Sequence, residues 1–295
     1  MSKKKENLYL SDKPPLSAGG KILIGLSYLI LCAWALAIIW PLAQMLLSSF
    51  NGLLTKNISM GGGFTFSTKH FVYLFEKTLF LKWVKNTIIV AVSTALLTLL
   101  IVSFTGYAYS RYRFSGRKAS LMGIMLVQAI PAFAGITAFY TIHAIVSSII
   151  PTFSRTTLLI LIYAGGAIAS NTFILKGYID GVSMELDDAA RIDGCSNMQI
   201  YRLIIMPIAR PMVAIIGLMS FMAPFLDYML PKILLTNPES YTLATGFFTL
   251  INDARTMNQP AFAAGGLLSA LPIVILFIAL QNQLVSGLAA GSVKG

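Results

Sequence analysis

The side chains able to do chemistry in this 295-residue chain are few and unevenly placed. Of its 11 acidic residues, five (Asp180, Glu185, Asp187, Asp188 and Asp193) fall within residues 177–204. The stretch reads Met184-Glu185-Leu186-Asp187-Asp188-Ala189-Ala190-Arg191-Ile192-Asp193-Gly194-Cys195 and continues to Ile204-Ile205-Met206-Pro207. This pattern predicts a short helix, a glycine break, a second short helix and a proline stop. Acidic groups in a helix's first turn meet the positive end of its dipole. Gly194 can take the left-handed conformation that ends a helix and reverses the chain. Met184, Leu186, Ala189, Ala190 and Ile192 make an apolar face too small for a core and suited to a partner's groove. On pattern alone, a solvated amphipathic connection between two longer helices fits equally well. Catalysis and metal binding gain no such support. His70 has no companion at ligand spacing, and His143 suits a membrane interface better than a metal. Cys32 and Cys195 lie on or near different apolar segments, which suits neither a disulfide framework nor a zinc site. No catalytic residue and no metal ligand is assigned.

The elements that must carry this loop are set by composition. Charged residues are 11% of the chain and hydrophobic ones 56%, with a mean hydropathy of +0.76. A soluble globular chain has roughly 25% charged residues, so disorder, a nucleic-acid-binding tail and an ordinary cytosolic enzyme are poor readings. The 22 Lys and Arg outnumber the acids, but they sit in loops beside apolar runs, as the positive-inside bias requires; no nucleic-acid partner is implied. The basic start at Lys3-Lys4-Lys5 leads into an apolar span too long for a secretory signal, with no small-residue cleavage site after it.

Six stretches reach the about 20 apolar residues needed to cross a bilayer as helix: 22–46, 86–110, 119–145, 156–176, 205–230 and 261–285. Arg210 and Pro211 interrupt the fifth, which places its core at 211–230. The expected fold is all-α, a polytopic membrane protein of six transmembrane helices. Residues 1–21 form a cytoplasmic segment ahead of a transmembrane domain over 22–295. Six spans put both termini on one side, where 14 Lys and Arg gather against 8 on the other, so the termini are expected in the cytoplasm. The missing internal repeat argues against transporters built from duplicated halves.

Asp188-Ala189-Ala190, the spacing to Gly194 and the distal Ile204-Ile205-Met206-Pro207 resemble the EAA loop of ABC importer membrane subunits, here spanning 184–207. Asp188 stands where Glu is usual, Cys195 where Ala is common and Met206 where Leu is common. Gly106-Tyr107-Ala108-Tyr109-Ser110-Arg111-Tyr112-Arg113-Phe114 resembles the family's Tyr-Ala-x-x-Arg segment. Tyr241 to Gly246, Ser269 to Pro272 and the tail Val285 to Gly295 resemble the MalG-like membrane subunits of maltose/maltodextrin importers. The resemblance implies a permease subunit in a bacterial cytoplasmic membrane. It would work with a second, MalF-like membrane subunit, two ATPase subunits and an extracytoplasmic sugar-binding protein. The chain carries no Gly-x-x-x-x-Gly-Lys-Ser/Thr loop, so ATP and Mg are expected on the partner ATPase and no cofactor on this chain. Glu185, Leu186, Asp188, Ala189, Ala190, Ile192, Asp193, Gly194 and Pro207 would then meet the ATPase. Phe247, Asn252 and Arg255 would face the sugar-binding protein, and the tail residues Val293, Lys294 and Gly295 would enter the ATPase interface.

Polar side chains within or beside the spans are the remaining candidates. Gln128, Asn171 and Asp227 could line a solute path, because polar groups at membrane depth usually face the bundle interior. Asp227 in particular is expected to turn away from lipid. Each could equally be a bond between helices. An ABC permease for another solute and an ion-coupled secondary transporter stay open as alternatives. The maltodextrin assignment rests on the resemblance alone.

Overall fold

The computed structural model describes residues 18–54, 58, 63–128, 135–255 and 257–292. The elements in order are α1 (Ala18–Phe50), α2 (Lys69–Lys77), α3 (Phe80–Arg111), α4 (Arg117–Gln128), α5 (Ile136–Ile149) and α6 (Arg155–Asp180). Next come α7 (Glu185–Ile192), α8 (Asn197–Gln199), a π-helical stretch (Ile200–Ile205), α9 (Met206–Ile208) and α10 (Arg210–Leu226). The chain ends with α11 (Met229–Leu234), a 3-10 turn (Pro238–Ser240), α12 (Leu243–Phe248) and α13 (Gln259–Ser292).

Among the described residues, four helices are long and apolar enough to cross a membrane: Gly19–Phe50, Phe80–Arg111, Arg155–Asp180 and Gln259–Leu284. Asn197–Ile208 and Arg210–Leu226 meet at a bend of 77° and make a fifth candidate when the bent pair is taken as one span. The break falls at the Arg210-Pro211 interruption read in 205–230, and the core expected at 211–230 is carried by α10. Pro211 lies in the first turn of α10, where its missing N–H costs nothing. It opens a new helix while Met206–Ile208 complete the rod that begins at Asn197. The stretch 119–145 is carried by two shorter helices, α4 and α5. Residues 129–134 between them, with Pro131, lie outside the described residues.

α3 and α6 form the centre. Gly106 lets them touch, because a Cβ there would sit 3.0 Å from the Leu175 side chain. One turn away, the hydroxyls of Thr105 and Thr172 are 2.9 Å apart. α10 packs on α3 and α6, and α13 on α10 and α1. α1 is apolar on every side, with Trp34 69% and Leu36 68% exposed. A helix apolar all round takes lipid or another membrane subunit as its solvent.

The buried side chains among the described residues collect in two large clusters, one toward each end of α3, and a small one of Ala91, Ala95 and Phe221. At one end Leu74, Phe80, Trp83, Leu234, Leu243 and Phe247 pack together. At the other, Tyr107, Leu175, Ile179, Ala190, Ile200 and Ile205 do so. Beside the first cluster, buried Asn51 ties the segment after α1: its Nδ2 donates to Gly63 O at 3.0 Å, and its Oδ1 accepts from Leu53 N at 3.1 Å. His70 Nε2 lies 3.1 Å from the Asn51 carbonyl. Burial pushes the His70 pKa below the usual imidazole value, with that carbonyl opposing. His70 is thus a hydrogen-bonded core residue.

Candidate functional site

The site is the loop after α6. Its first helix, α7, has Glu185, Asp187 and Asp188 in the opening turn, as the dipole argument expects. Residues three apart share a helix face, and Asp187 and Ala190 point inward together, 0% and 5% exposed. Arg111, the last residue of α3, meets Asp187 there: Nε lies 3.0 Å from Oδ2, with the two side chains 2% and 0% exposed. The contact is a close ion pair and not an aligned hydrogen bond, and neither Asp187 oxygen has a hydrogen-bonding partner among the described residues. Arg111 Nη2 donates to Val182 O at 3.1 Å, so one guanidinium holds both α7 and the chain that leads into it.

Gly194 has φ +82. Cys195 N donates to Ala190 O at 2.9 Å and Gly194 N to Arg191 O at 3.1 Å, the paired bonds of a Schellman turn. Ser196 then starts the next helix with a capping box: its Oγ accepts from Gln199 N at 3.4 Å, and Gln199 Oε1 accepts from Ser196 N at 2.7 Å. Pro207 is not the stop expected of it. The rod passes through it and bends two residues later, and the π-helical stretch just before accommodates a residue with no N–H to return to the preceding turn. Tyr201 anchors this rod to α3, its hydroxyl donating to Ser103 Oγ at 2.9 Å and its ring stacking on Phe104 at 4.9 Å.

The outward face of the loop carries Leu186, Ala189 and Ile192, the last 87% exposed, with Met184, Met198 and Leu203 beside them. Glu185, Asp188, Asp193, Gly194 and Pro207 are exposed as well. Ala190 corrects the expectation of one apolar face. It is a packing residue, because the turn that buries Asp187 also buries its neighbour three residues on. The ion pair itself was not singled out from sequence. Arg111 reads there as one of four basic residues in 111–118, and Asp187 as one acid among five. The available signal was its place, three residues before Ala190 on one helix face.

The other candidates separate. Gln128 is exposed at the end of α4. Asn171 Nδ2 donates to Ala167 O of its own helix at 2.8 Å. Asp227 turns inward at the end of α10, where its carboxylate accepts from Tyr163 O–H at 2.9 Å and Met229 N at 2.8 Å. The three share no hydrogen bond. Phe247, expected at a binding-protein surface, is 6% exposed. It packs edge-on to Trp83 at 6.4 Å and stacks on Phe80 at 6.1 Å. The cause is its slot: a Cβ on Gly265 would come within 2.4 Å of its ring. Asn252 and Arg255 are exposed. Val293, Lys294 and Gly295 lie outside the described residues.

An all-helical bundle with membrane-length apolar helices and an exposed amphipathic loop at one end defines a polytopic membrane protein. The chain belongs to the family of binding-protein-dependent transport system inner membrane components, whose model matches residues 103–289. It is 41% identical over 269 residues to the maltodextrin transport system permease protein MdxG of Bacillus subtilis, covering 91% of this chain and 95% of that one. It is 40% identical over 275 residues to the galactooligosaccharides transport system permease protein GanQ of the same organism, covering 91% and 95%. Among solved structures, a bacterial ABC transporter involved in the import of alginate matches in fold at a TM-score of 0.75. That match has 19% identity and covers 92% of this chain and 99% of that one.

Proposed function

We propose that this chain is the permease subunit of an ATP-binding cassette importer for a carbohydrate, a maltodextrin or a similar oligosaccharide. It is driven through the 184–207 loop by a separate ATPase that binds ATP and Mg. The observation that carries the reading is the division of α7 into two faces. Asp187 and Ala190 fix it to the bundle, while Leu186, Ala189 and Ile192 stand outside with no covering partner among the described residues. An exposed apolar helix face at the end of a bundle is a shape for a partner's groove. Because Arg111 ends a helix of 32 residues, a push on α7 is delivered to a span.

The sugar follows from the names of the two relatives above, and the docking loop does not choose between them, since it meets the ATPase and not the solute. The rest of the assembly is a second, MalF-like membrane subunit, two ATPase subunits and an extracytoplasmic sugar-binding protein. Both termini lie in the cytoplasm. Asn252 and Arg255 face the binding protein, and Gln128, Asn171 and Asp227 border the solute path. Val293, Lys294 and Gly295 reach the ATPase interface.

The test is Gly194→Trp in the assembled importer. A Cβ at Gly194 meets nothing within 4 Å in this chain, so its main penalties are the positive φ and obstruction of a partner. The variant should insert in the membrane while ATPase attachment and sugar uptake fall together. Normal attachment and uptake would remove the docking assignment. Uptake in proteoliposomes with maltodextrins and galacto-oligosaccharides, each with the cognate binding protein, separates the two sugars.

A further inference from the structure

A second charged feature occupies the α7 end of the bundle and takes no part in holding the loop. Arg113, Arg117, Lys118 and Lys176, with Phe114 and Leu121, line a cavity of about 700 Å³ between the end of α3, the start of α4 and α6. Lys176 is paired with Asp180, whose carboxylate also accepts from Ser110 Oγ at 2.6 Å. Arg113, Arg117 and Lys118 make no ion pair or side-chain hydrogen bond with any described residue. The pocket therefore holds four cations against one carboxylate, Asp180, which is engaged by Lys176 and Ser110 and also feels Arg117.

Its walls are pinned. Gly116 takes φ +83 to turn the chain from α3 into α4. Tyr109 O–H donates to Ser120 Oγ at 3.0 Å, and Ser120 Oγ donates back to Gly116 O at 2.9 Å. The first turn of α4 has no acidic residue, so the positive end of its dipole is not offset there. Beyond that turn α4 buries none of its side chains, and Met122, Leu126 and Val127 are 64%, 69% and 67% exposed. A cationic cup thus opens onto an apolar helix flank.

That is the layout of a phospholipid turned inside out: an anionic head for the cup and an acyl chain for the flank. Basic pockets between spans bind anionic headgroups, and helix N-termini bind phosphate. We propose that this pocket holds the phosphate headgroup of an anionic phospholipid, with an acyl chain lying along α4. A free phosphate would use the cations but has no need of the apolar flank, which is why the lipid is the better occupant.

The experiment uses the complete importer reconstituted in nanodiscs of equal phosphatidylglycerol and phosphatidylcholine, re-extracted in mild detergent, with retained lipid counted by mass spectrometry. Wild type should hold phosphatidylglycerol in excess, and the excess should shrink as NaCl rises. Arg113→Gln/Arg117→Gln/Lys118→Gln should lower it by about fivefold or more, whereas Arg113→Lys/Arg117→Lys/Lys118→Arg should keep it. No excess on wild type overturns the proposal without any variant. An unchanged excess on the neutral triple variant also overturns it. Displacement by millimolar inorganic phosphate, with no dependence on lipid, assigns the pocket to a free anion instead. Loss of the ATPase from the neutral variant with lipid retention intact makes the surface a protein contact and equally defeats the idea.

Discussion

At the α12 end, α3 grips its loop mainly through neutral groups, with the Lys82–Glu239 pair exposed at the edge. Trp83 Nε1 donates to Pro238 O at 3.0 Å, Asn86 Nδ2 donates to Glu239 O at 2.7 Å, and Thr87 Oγ1 accepts from Leu243 N at 2.7 Å. At the α7 end the same helix holds its loop by one buried ion pair, Arg111 to Asp187, with tyrosine rings around it. The first arrangement spreads the attachment over several backbone groups and an aromatic slot closed by Gly246 and Gly265. The second concentrates it in two charges. A loop held by many bonds behaves as part of the core. A short helix held chiefly through one guanidinium can be carried as a unit when pushed, with Tyr201 on Ser103 tying the rod beyond it, and α7 is the helix whose outer face is exposed.

The contrast can be broken most severely at Arg111. Arg111→Met would leave Asp187 buried and uncompensated, a loss of about 3–5 kcal/mol. Amide exchange over residues 184–195 should rise sharply while residues 238–248 stay protected. The pair Arg111→Met/Asp187→Leu should recover most of that protection, because replacing both charges removes the penalty. Equal exchange at both ends in the single variant would abolish the distinction.

Next in size is Gly246→Ala, whose Cβ would meet the Trp83 ring at 2.2 Å. Overpacking at this site should cost about 1–3 kcal/mol, read as a lower Tm, with ATPase attachment unchanged. A drop in attachment instead would show that the two ends are not independent.

Gly194→Ala is smaller, about 1–2 kcal/mol from the left-handed backbone alone. Gly194→Ala should reduce ATPase attachment far less than Gly194→Trp, since an added methyl meets nothing in this chain. Equal losses from the two variants would mean that backbone strain, and not obstruction of a partner, governs the site.

The mildest is Glu239→Gln. Glu239 is paired with Lys82 at 2.6 Å with both side chains exposed, and that lysine draws its carboxyl below the usual pKa. A solvent-screened pair of this kind contributes little. The Tm difference between Glu239→Gln and the parent chain should stay near zero from pH 4 to 8. A clear fall would place this charge among the fixed contacts of the α12 end.

Much of this architecture was legible in the sequence because lipid leaves a chain few choices. Apolar runs of about 20 residues must be helices, and Gly194 was readable as a left-handed turn from its place after an amphipathic octet. The loop was legible for the same reason: local caps and dipoles act within a few residues. Tertiary structure decided what depended on distant neighbours. It put Ala190 inside, buried Phe247 against Trp83, set the 77° bend ahead of α10 and turned Asp227 toward Tyr163. It also paired Arg111 with Asp187, 76 positions along the chain. Sequence spacing fixes which residues share a helix face. Which face becomes the inside is set only when another helix arrives to cover it, and that requires the bundle.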